Sequence, residues 1–397
     1  MRWLNLLQSV FVVCSIVAGS AAAQDVSIDG IRFGKNGETT RFVLDISKDI
    51  QPKIFLLGSP NRIVVDLPKT SWKQTKTVNP SGVVEGYRHG LFSNDIYRIV
   101  LDLKAPATIH KSFPLPARGG YGHRYVIDLK PVKQGAFNAA VTATRANRVS
   151  APVITATVAT PPKRRQDGRR VIVVDAGHGG VDPGTLGKRG EQEKKITLNI
   201  SKVIKRELEN TGRYKVYLTR DKDIYIKHRN RFGLARRTGA DMFISVHVDA
   251  IKNTKVRGGT VYTLNENASD QEAARLAAKE NKSDVLAGVD LADTNNEVSN
   301  ILIELAQRET MNSSARFAEM LVPEMRQQVK MHKRGHRFAN FLVLKSLDVP
   351  SILLETGYIT NRSDVKMLQS RDGPRRIANG LRRALDRYFE TLVAQGR

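Results

Sequence analysis

Four apolar residues, Val171-Ile172-Val173-Val174, run without a polar break into Asp175-Ala176-Gly177-His178-Gly179-Gly180. A strand with one face in water alternates apolar and polar residues, whereas a continuous run suits a strand covered on both faces, as in a parallel sheet flanked by helices. The following residues keep to that pattern. Ile196, Ile200, Val203, Ile204 and Leu208 recur at helical spacing, and Gly212 ends the run. "KVYLT" reads as the next strand, Arg231 to Thr238 as a helix closed by Gly239, and "MFISV" and "SILL" as further strands. A last helix opens at Pro374 and keeps Ile377, Leu381, Leu385 and Tyr388 on one side. The fold class expected for residues 170–397 is therefore α/β, a mostly parallel twisted sheet with helices on both faces.

The 397 residues leave room for other units. Residues 1–23, "MRWLNLLQSVFVVCSIVAGSAAA", have an early Arg2, an apolar middle from Leu4 to Val17 and Ala21-Ala22-Ala23 before Gln24. That is the pattern of a secretory signal peptide cleaved about after Ala23. No other segment is long and apolar enough to span a bilayer. The sole cysteine, Cys14, falls inside this signal, so disulfides and cysteine-ligated metals are excluded from the mature chain.

Residues 24–133 carry one motif four times: "RFVLDI" at Arg41, "RIVVDL" at Arg62, "RIVLDL" at Arg98 and "RYVIDL" at Arg124. Each is a β-branched-rich run near turn formers, so a small all-β domain is expected, built from two duplicated halves because the intervals are uneven. It contains no plausible catalytic cluster. Residues 134–169, rich in Ala, Thr, Val and Pro and ending in "PPKRRQDGRR", read as an interdomain linker. Lysine and arginine number 64 against 39 acidic residues, a formal net charge of +25. Behind a signal peptide, such a balance points to cell-wall polyanions rather than to nucleic acid.

In open α/β sheets ligands bind beyond the carboxyl ends of the strands. Three strands of the 170–397 region end there in chemically capable side chains: the first runs into His178, "FISV" into His247 and "SILL" into Glu355. The glycines around His178 permit backbone angles closed to other residues. A phosphate loop is disfavoured, since no Gly-Lys-Ser/Thr follows and no acidic residue stands where a dinucleotide site needs it. Two imidazoles without cysteine suggest a zinc site completed by a carboxylate, with Glu193 the best third ligand and Glu191 its nearest rival. The patch "KHRNRFGLARR" reads as a solvated helix face.

"VIVVDAGHGGVDPG", "GEQEKKITLNI", "LTRDKD", "ADMFISVHVDA" and "VPSILLETGYITN" resemble, in order and spacing, the zinc-dependent N-acetylmuramoyl-L-alanine amidases of the Amidase_3 type. Residues 24–133 resemble the AMIN domain, which directs such enzymes to their sites in the envelope. The resemblance implies one Zn2+ per catalytic domain held by His178, Glu193 and His247, with Glu355 as the catalytic carboxylate. It further implies peptidoglycan as substrate, periplasmic localisation and a role in separating daughter cells. His228 and Tyr358 depart from the family's usual leucine and phenylalanine. Asp175 and Asp249 are candidates for orienting a ligating histidine through its second nitrogen, or for capping loops. Two other readings stay open: an exported zinc peptidase acting on stem peptides, and a non-catalytic wall-binding protein.

Residues 269–313 are longer than a strand-to-helix connection requires and read as a regulatory insert. In "SDQEAARLAAKEN" the inward helical stripe is Ala273, Leu276 and Ala277, and its next position is Glu280. A carboxylate facing inward is costly unless something there satisfies it. "EVSNILIELAQRE" places Val298, Ile301, Leu302 and Leu305 on one face, with Glu297 and Glu304 at its flanks. The insert resembles the plug helix of division amidases, which a LytM-type activator withdraws. Glu280 is then the candidate for the open zinc position, ahead of Glu304 and Glu297; a surface helix with Glu280 paired to a basic residue is the alternative.

Overall fold

The structure, a computed structural model, describes residues 26–146, 168–290 and 301–395, the side chains of 301–306 excepted. The expected signal peptide with Cys14 lies outside the described residues, as do residues 147–167 of the expected linker and Glu297 and Val298 of the insert.

Each copy of the repeated motif forms an inner strand of a sheet. The strands are β1 (Val26–Asn36), β2 (Thr39–Ile46), β3 (Lys53–Leu57), β4 (Arg62–Pro68), β5 (Thr70–Trp72), β6 (Val84–Leu91), β7 (Ile96–Leu103), β8 (Ala107–Leu115) and β9 (His123–Pro131). They make two sheets, β5-β1-β2-β9-β8 and β3-β4-β7-β6, so that the first and fourth copies pair in one and the second and third in the other. Both central pairs are antiparallel. The alternate apolar positions of all four copies point into one core: Phe42, Leu44 and Ile46; Ile63, Val65 and Leu67; Ile99, Leu101 and Leu103; Tyr125, Ile127 and Leu129.

The arginine and aspartate of each copy are four residues apart, and antiparallel pairing sets the arginine of one copy opposite the aspartate of its partner. Arg41 accordingly holds Asp128 at 2.7 Å and Arg98 holds Asp66 at 2.6 Å. The remaining two carboxylates, Asp102 opposite Arg62 and Asp45 opposite Arg124, are taken instead by Arg88 and Arg32.

The expected linker does not begin at 134. Residues Gln134–Ala146 form helix α1, and Phe137 is fully buried in the β-domain core with Ala140 and Val141 beside it. The Ala/Thr composition suggested a spacer, but Phe137, Ala140 and Val141 lie at i, i+3 and i+4 on one helical face, which gives the segment something to bury. Phe137→Ala should lower the stability of this domain by about 3–5 kcal/mol. The check is chemical denaturation, where an unmoved midpoint would show that α1 adds nothing to the core.

The second domain comprises β10 (Arg170–Ala176), α2 (Glu193–Glu209), β11 (Tyr214–Leu218), α3 (His228–Thr238), β12 (Met242–His247), β13 (Gly259–Leu264), α4 (Gln271–Glu280), α5 (Ser283–Leu286), α6 (Ile301–Gln328), β14 (Met331–Ala339), β15 (Ser351–Glu355), α7 (Arg362–Leu368) and α8 (Asp372–Ala394). The sheet runs β11-β10-β12-β15-β13-β14, with only the β13–β15 pair antiparallel. The apolar run of β10 is divided between its two faces. Ile172 and Val174 pack with residues of α2, α6 and α8, while Val171 and Val173 pack with residues of α3 and α4.

The second helix of the insert and strand β14 differ from the sequence reading. That helix does not stop at its expected end, residue 313, because α6 runs unbroken through Ser313 to Gln328. Strand β14, with its polar sequence "MHKRGHRFA", was not expected; it sits at the sheet edge, where alternate residues can face water. No helix among the described residues is long and apolar enough to cross a membrane.

Candidate metal centre

Strands β10, β12 and β15 are parallel neighbours, with Ala176 beside Val246 and His247 beside Glu355. Parallel register therefore brings the loop after β10, the end of β12 and the end of β15 to one edge. Past β10 the chain turns sharply, with His178 at φ 60° and Gly179 at φ 129°. A positive φ is uncommon for a residue with a side chain and marks a constrained position. Gly177 is required by packing: a Cβ there would lie 2.5 Å from Cε1 of His247. The glycines thus admit one imidazole and swing the other over the sheet edge.

Glu193 opens α2 and is fully buried. Its Oε2 lies 3.2 Å from His178 Nε2 and its Oε1 3.3 Å from His247 Nδ1. The backbone N–H groups of Thr185 and Val248 each donate to this carboxylate at 2.8 Å and fix its orientation. The ligand atoms of His178, Glu193 and His247 all lie within 4.8 Å of one another. Glu280, at the end of α4, places Oε2 at 3.2 Å from His178 Nε2 and 3.3 Å from His247 Nδ1.

These contacts are close without being aligned as hydrogen bonds. His178 Nε2, His247 Nδ1, both Glu280 oxygens and Glu355 Oε1 are buried with no hydrogen-bond partner. Buried polar atoms left this way are costly. Two imidazole nitrogens and carboxylate oxygens converging on one point fit a divalent cation, and two His plus a Glu with a fourth position is a zinc-hydrolase donor set. The negative charge also shows in the imidazole: burial would lower the pKa of His178, but Glu193, Asp182 and Glu280 hold it well above the ordinary value.

The second nitrogen of His178 is held by neither expected aspartate. Asp182 Oδ2 takes its Nδ1 at 2.8 Å and also accepts from the Ser283 hydroxyl. Burial acts to raise the Asp182 carboxyl, but His178 and these hydrogen bonds keep it well below the usual carboxylate range. Asp175 is engaged by Thr219, Ser245 and Arg231 at 2.6–2.9 Å. It supports the site through Arg231, which also donates to the carbonyl of His178 at 2.9 Å. Asp249 accepts from Lys279 at 2.7 Å, and its own N–H donates to Glu355 Oε2 at 2.8 Å. The cause is the turn at His178, which aims Nδ1 forward at its own loop, where the paired backbone hydrogen bonds of Gly179 and Asp182 return the carboxylate.

The spacing His-x-x-x-Asp inside a glycine-rich turn was the signal available for Asp182. Asp182→Ala should weaken zinc binding about 10–100-fold. Competition with a chromophoric chelator measures this, and unchanged affinity would deny Asp182 the positioning role.

Glu191 is turned away and accepts from the N–H of Arg189 at 2.9 Å. Glu355 is buried beside the site, and burial, reinforced by Asp249, Glu193 and Glu280, pushes its carboxyl well above the ordinary value. In "KHRNRFGLARR", expected to be a solvated helix face, Arg231 and His228 are instead buried.

The arrangement has the donor set of a metal-dependent hydrolase. Residues 172–387 match the family described as N-acetylmuramoyl-L-alanine amidase, Amidase_3, and residues 30–136 match the AMIN domain. N-acetylmuramoyl-L-alanine amidase AmiC of Neisseria meningitidis is 32% identical over 368 residues, 89% of this chain and 88% of that protein. N-acetylmuramoyl-L-alanine amidase AmiA of Escherichia coli is 35% identical over 230 residues, 58% of this chain and 79% of that one. Among solved structures, the amidase AmiC2 of Nostoc punctiforme is 28% identical with a TM-score of 0.42, covering 56% of this chain and 99% of that chain. The chain belongs to the Amidase_3 family of N-acetylmuramoyl-L-alanine amidases and carries an AMIN domain.

Proposed function

We propose that the enzyme hydrolyses the amide bond between N-acetylmuramic acid and L-alanine in peptidoglycan, in the periplasm, during wall remodelling and daughter-cell separation. The observation that carries the chemistry is the convergence of unpartnered buried atoms of His178, His247, Glu280 and Glu355 around Glu193. His178, Glu193 and His247 would hold one zinc ion. When bound, zinc polarises the amide carbonyl and lowers the pKa of water to about 7. Glu355 takes the proton from the attacking water and delivers it to the leaving amine of L-alanine. The Asp249 N–H fixes one Glu355 oxygen and leaves the other for proton transfer.

The resting enzyme is proposed to be closed by α4, whose Glu280 occupies the position that water and substrate need. The support is its near-equal distance from both imidazoles and its inward burial at 3% exposure. Release would fall to an activator of the LytM type. The signal-like residues 1–23 support export.

Digestion of purified peptidoglycan with and without chelator tests the activity. Mass spectrometry should find stem peptides with a free L-alanine amine, lost on chelation. Shortened peptides would instead make the protein a stem peptidase, and no products even after Glu280 is removed would make it a wall receptor.

A further inference from the structure

The β domain reaches directly onto the segment that follows Glu280. The outward apolar positions of its second and third motif copies, Val64 and Val100, join Phe55 and Leu57 in a cluster with Val181, Tyr225, Ala287 and Val289. Gly288, at φ 68°, lies under them, where a Cβ would come within 3.1 Å of Val64 and 3.2 Å of Val100. Around this apolar patch, arginines of the β domain take up the carbonyls at and just beyond the end of α5. Arg62 donates to Val285, Arg88 to Leu286 at 2.5 Å, and Arg98 to Ala287 at 3.2 Å and Gly288 at 2.8 Å. Arg145 of α1 closes the row on Asp290, its Nε at 3.0 Å. Arg62 and Arg98 are only 2% and 5% exposed, so their donors have little recourse to water.

The same segment is tied to the metal centre from its other side. Ser283 donates to Asp182, and Asp284 accepts from the Tyr225 hydroxyl at 2.5 Å and from the His228 N–H at 3.1 Å. Residues 283–290 therefore lie between the β domain and the site, directly after the helix that carries Glu280. They cannot leave the β domain without uncovering Val64 and Val100 and stripping buried guanidinium groups of their acceptors.

We propose that the β domain is the latch of the α4–α5 plug: its arginine-lined face holds residues 285–290, and Glu280 leaves the cleft when that hold is released. This rests on α4 being a plug. It gives the AMIN domain a second task beside placement in the envelope, for anything that pulls this face away loosens the closed site.

The test uses the full-length chain in two variants at residues that do not themselves face the metal centre. Gly288→Val puts a branched side chain at a positive φ against Val64 and Val100, while Asp290→Arg reverses the charge facing Arg145. Activator-free hydrolysis of purified peptidoglycan and hydrogen exchange over residues 271–290 are the readouts, with circular dichroism to verify folding. Both variants should raise the basal rate about tenfold, within the usual span of coupling between sites, and accelerate exchange. Arg145→Asp combined with Asp290→Arg should return both toward wild type. If Glu280→Ala raises the rate while Gly288→Val and Asp290→Arg alter neither rate nor exchange, the latch is refuted and the plug stands. If wild type is already fully active and Glu280→Ala changes nothing, plug and latch fall together.

Discussion

Glu355→Gln is expected to retain one zinc per chain and to lose hydrolysis by about 10²–10⁴-fold, the contribution a positioned proton carrier makes. The substitution keeps the volume and preserves an acceptor for the Asp249 N–H, which Glu355 now receives at 2.8 Å. It removes only the capacity to take a proton. His247→Ala should lose zinc and activity together, because its Nδ1 is one of the converging donors. Metal content measured beside turnover on peptidoglycan separates the two roles. A Gln variant with near-native turnover would remove Glu355 from proton transfer, and one emptied of zinc would make it a structural support of the metal site.

Glu280→Ala should raise activator-free hydrolysis by about 5–150-fold, the range in which coupled sites commonly bias one another. Burial acts against an ionised carboxylate, yet His178, Lys279 and His247 together hold Glu280 below its ordinary value, so it sits in the cleft as an anion. The alanine variant takes away that anion while the inward stripe of Ala273, Leu276 and Ala277 still seats the helix. A rate equal to a fully active wild type would remove the regulatory role from Glu280.

Much of the site was legible because each member leaves a regular element at a definable place. His178 follows a strand apolar on both faces, His247 and Glu355 close strands of the same kind, and Glu193 begins the returning helix. Glu280 was legible from helical periodicity alone, as a charge in an apolar stripe. Asp182 was missed because a left-handed turn at His178, not sequence distance, decides which carboxylate the ring meets. The docking of the β domain had no sequence signature: Arg62, Arg88 and Arg98 bind main-chain carbonyls at separations of 223, 198 and 189 or 190 residues, and every residue supplies such an acceptor. Helix α1 hid behind the composition of a spacer, although Phe137 marked its buried face.

The repeated arginine and aspartate of the β domain also bear on how it folds. With these charges four residues apart in every copy, any copy meets any other antiparallel copy with opposite charges aligned, as Arg41 meets Asp128 and Arg98 meets Asp66. The apolar positions between them are equally interchangeable. The motif therefore specifies register without specifying partner, and the collapsing chain faces several pairings of similar local energy. The native choice must come from elsewhere: from the turns, from α1 seating Phe137 in the core, and from Arg88 claiming Asp102 and Arg32 claiming Asp45. A domain built this way is exposed to kinetic mispairing, including strand exchange between two newly made chains, until those asymmetric contacts form.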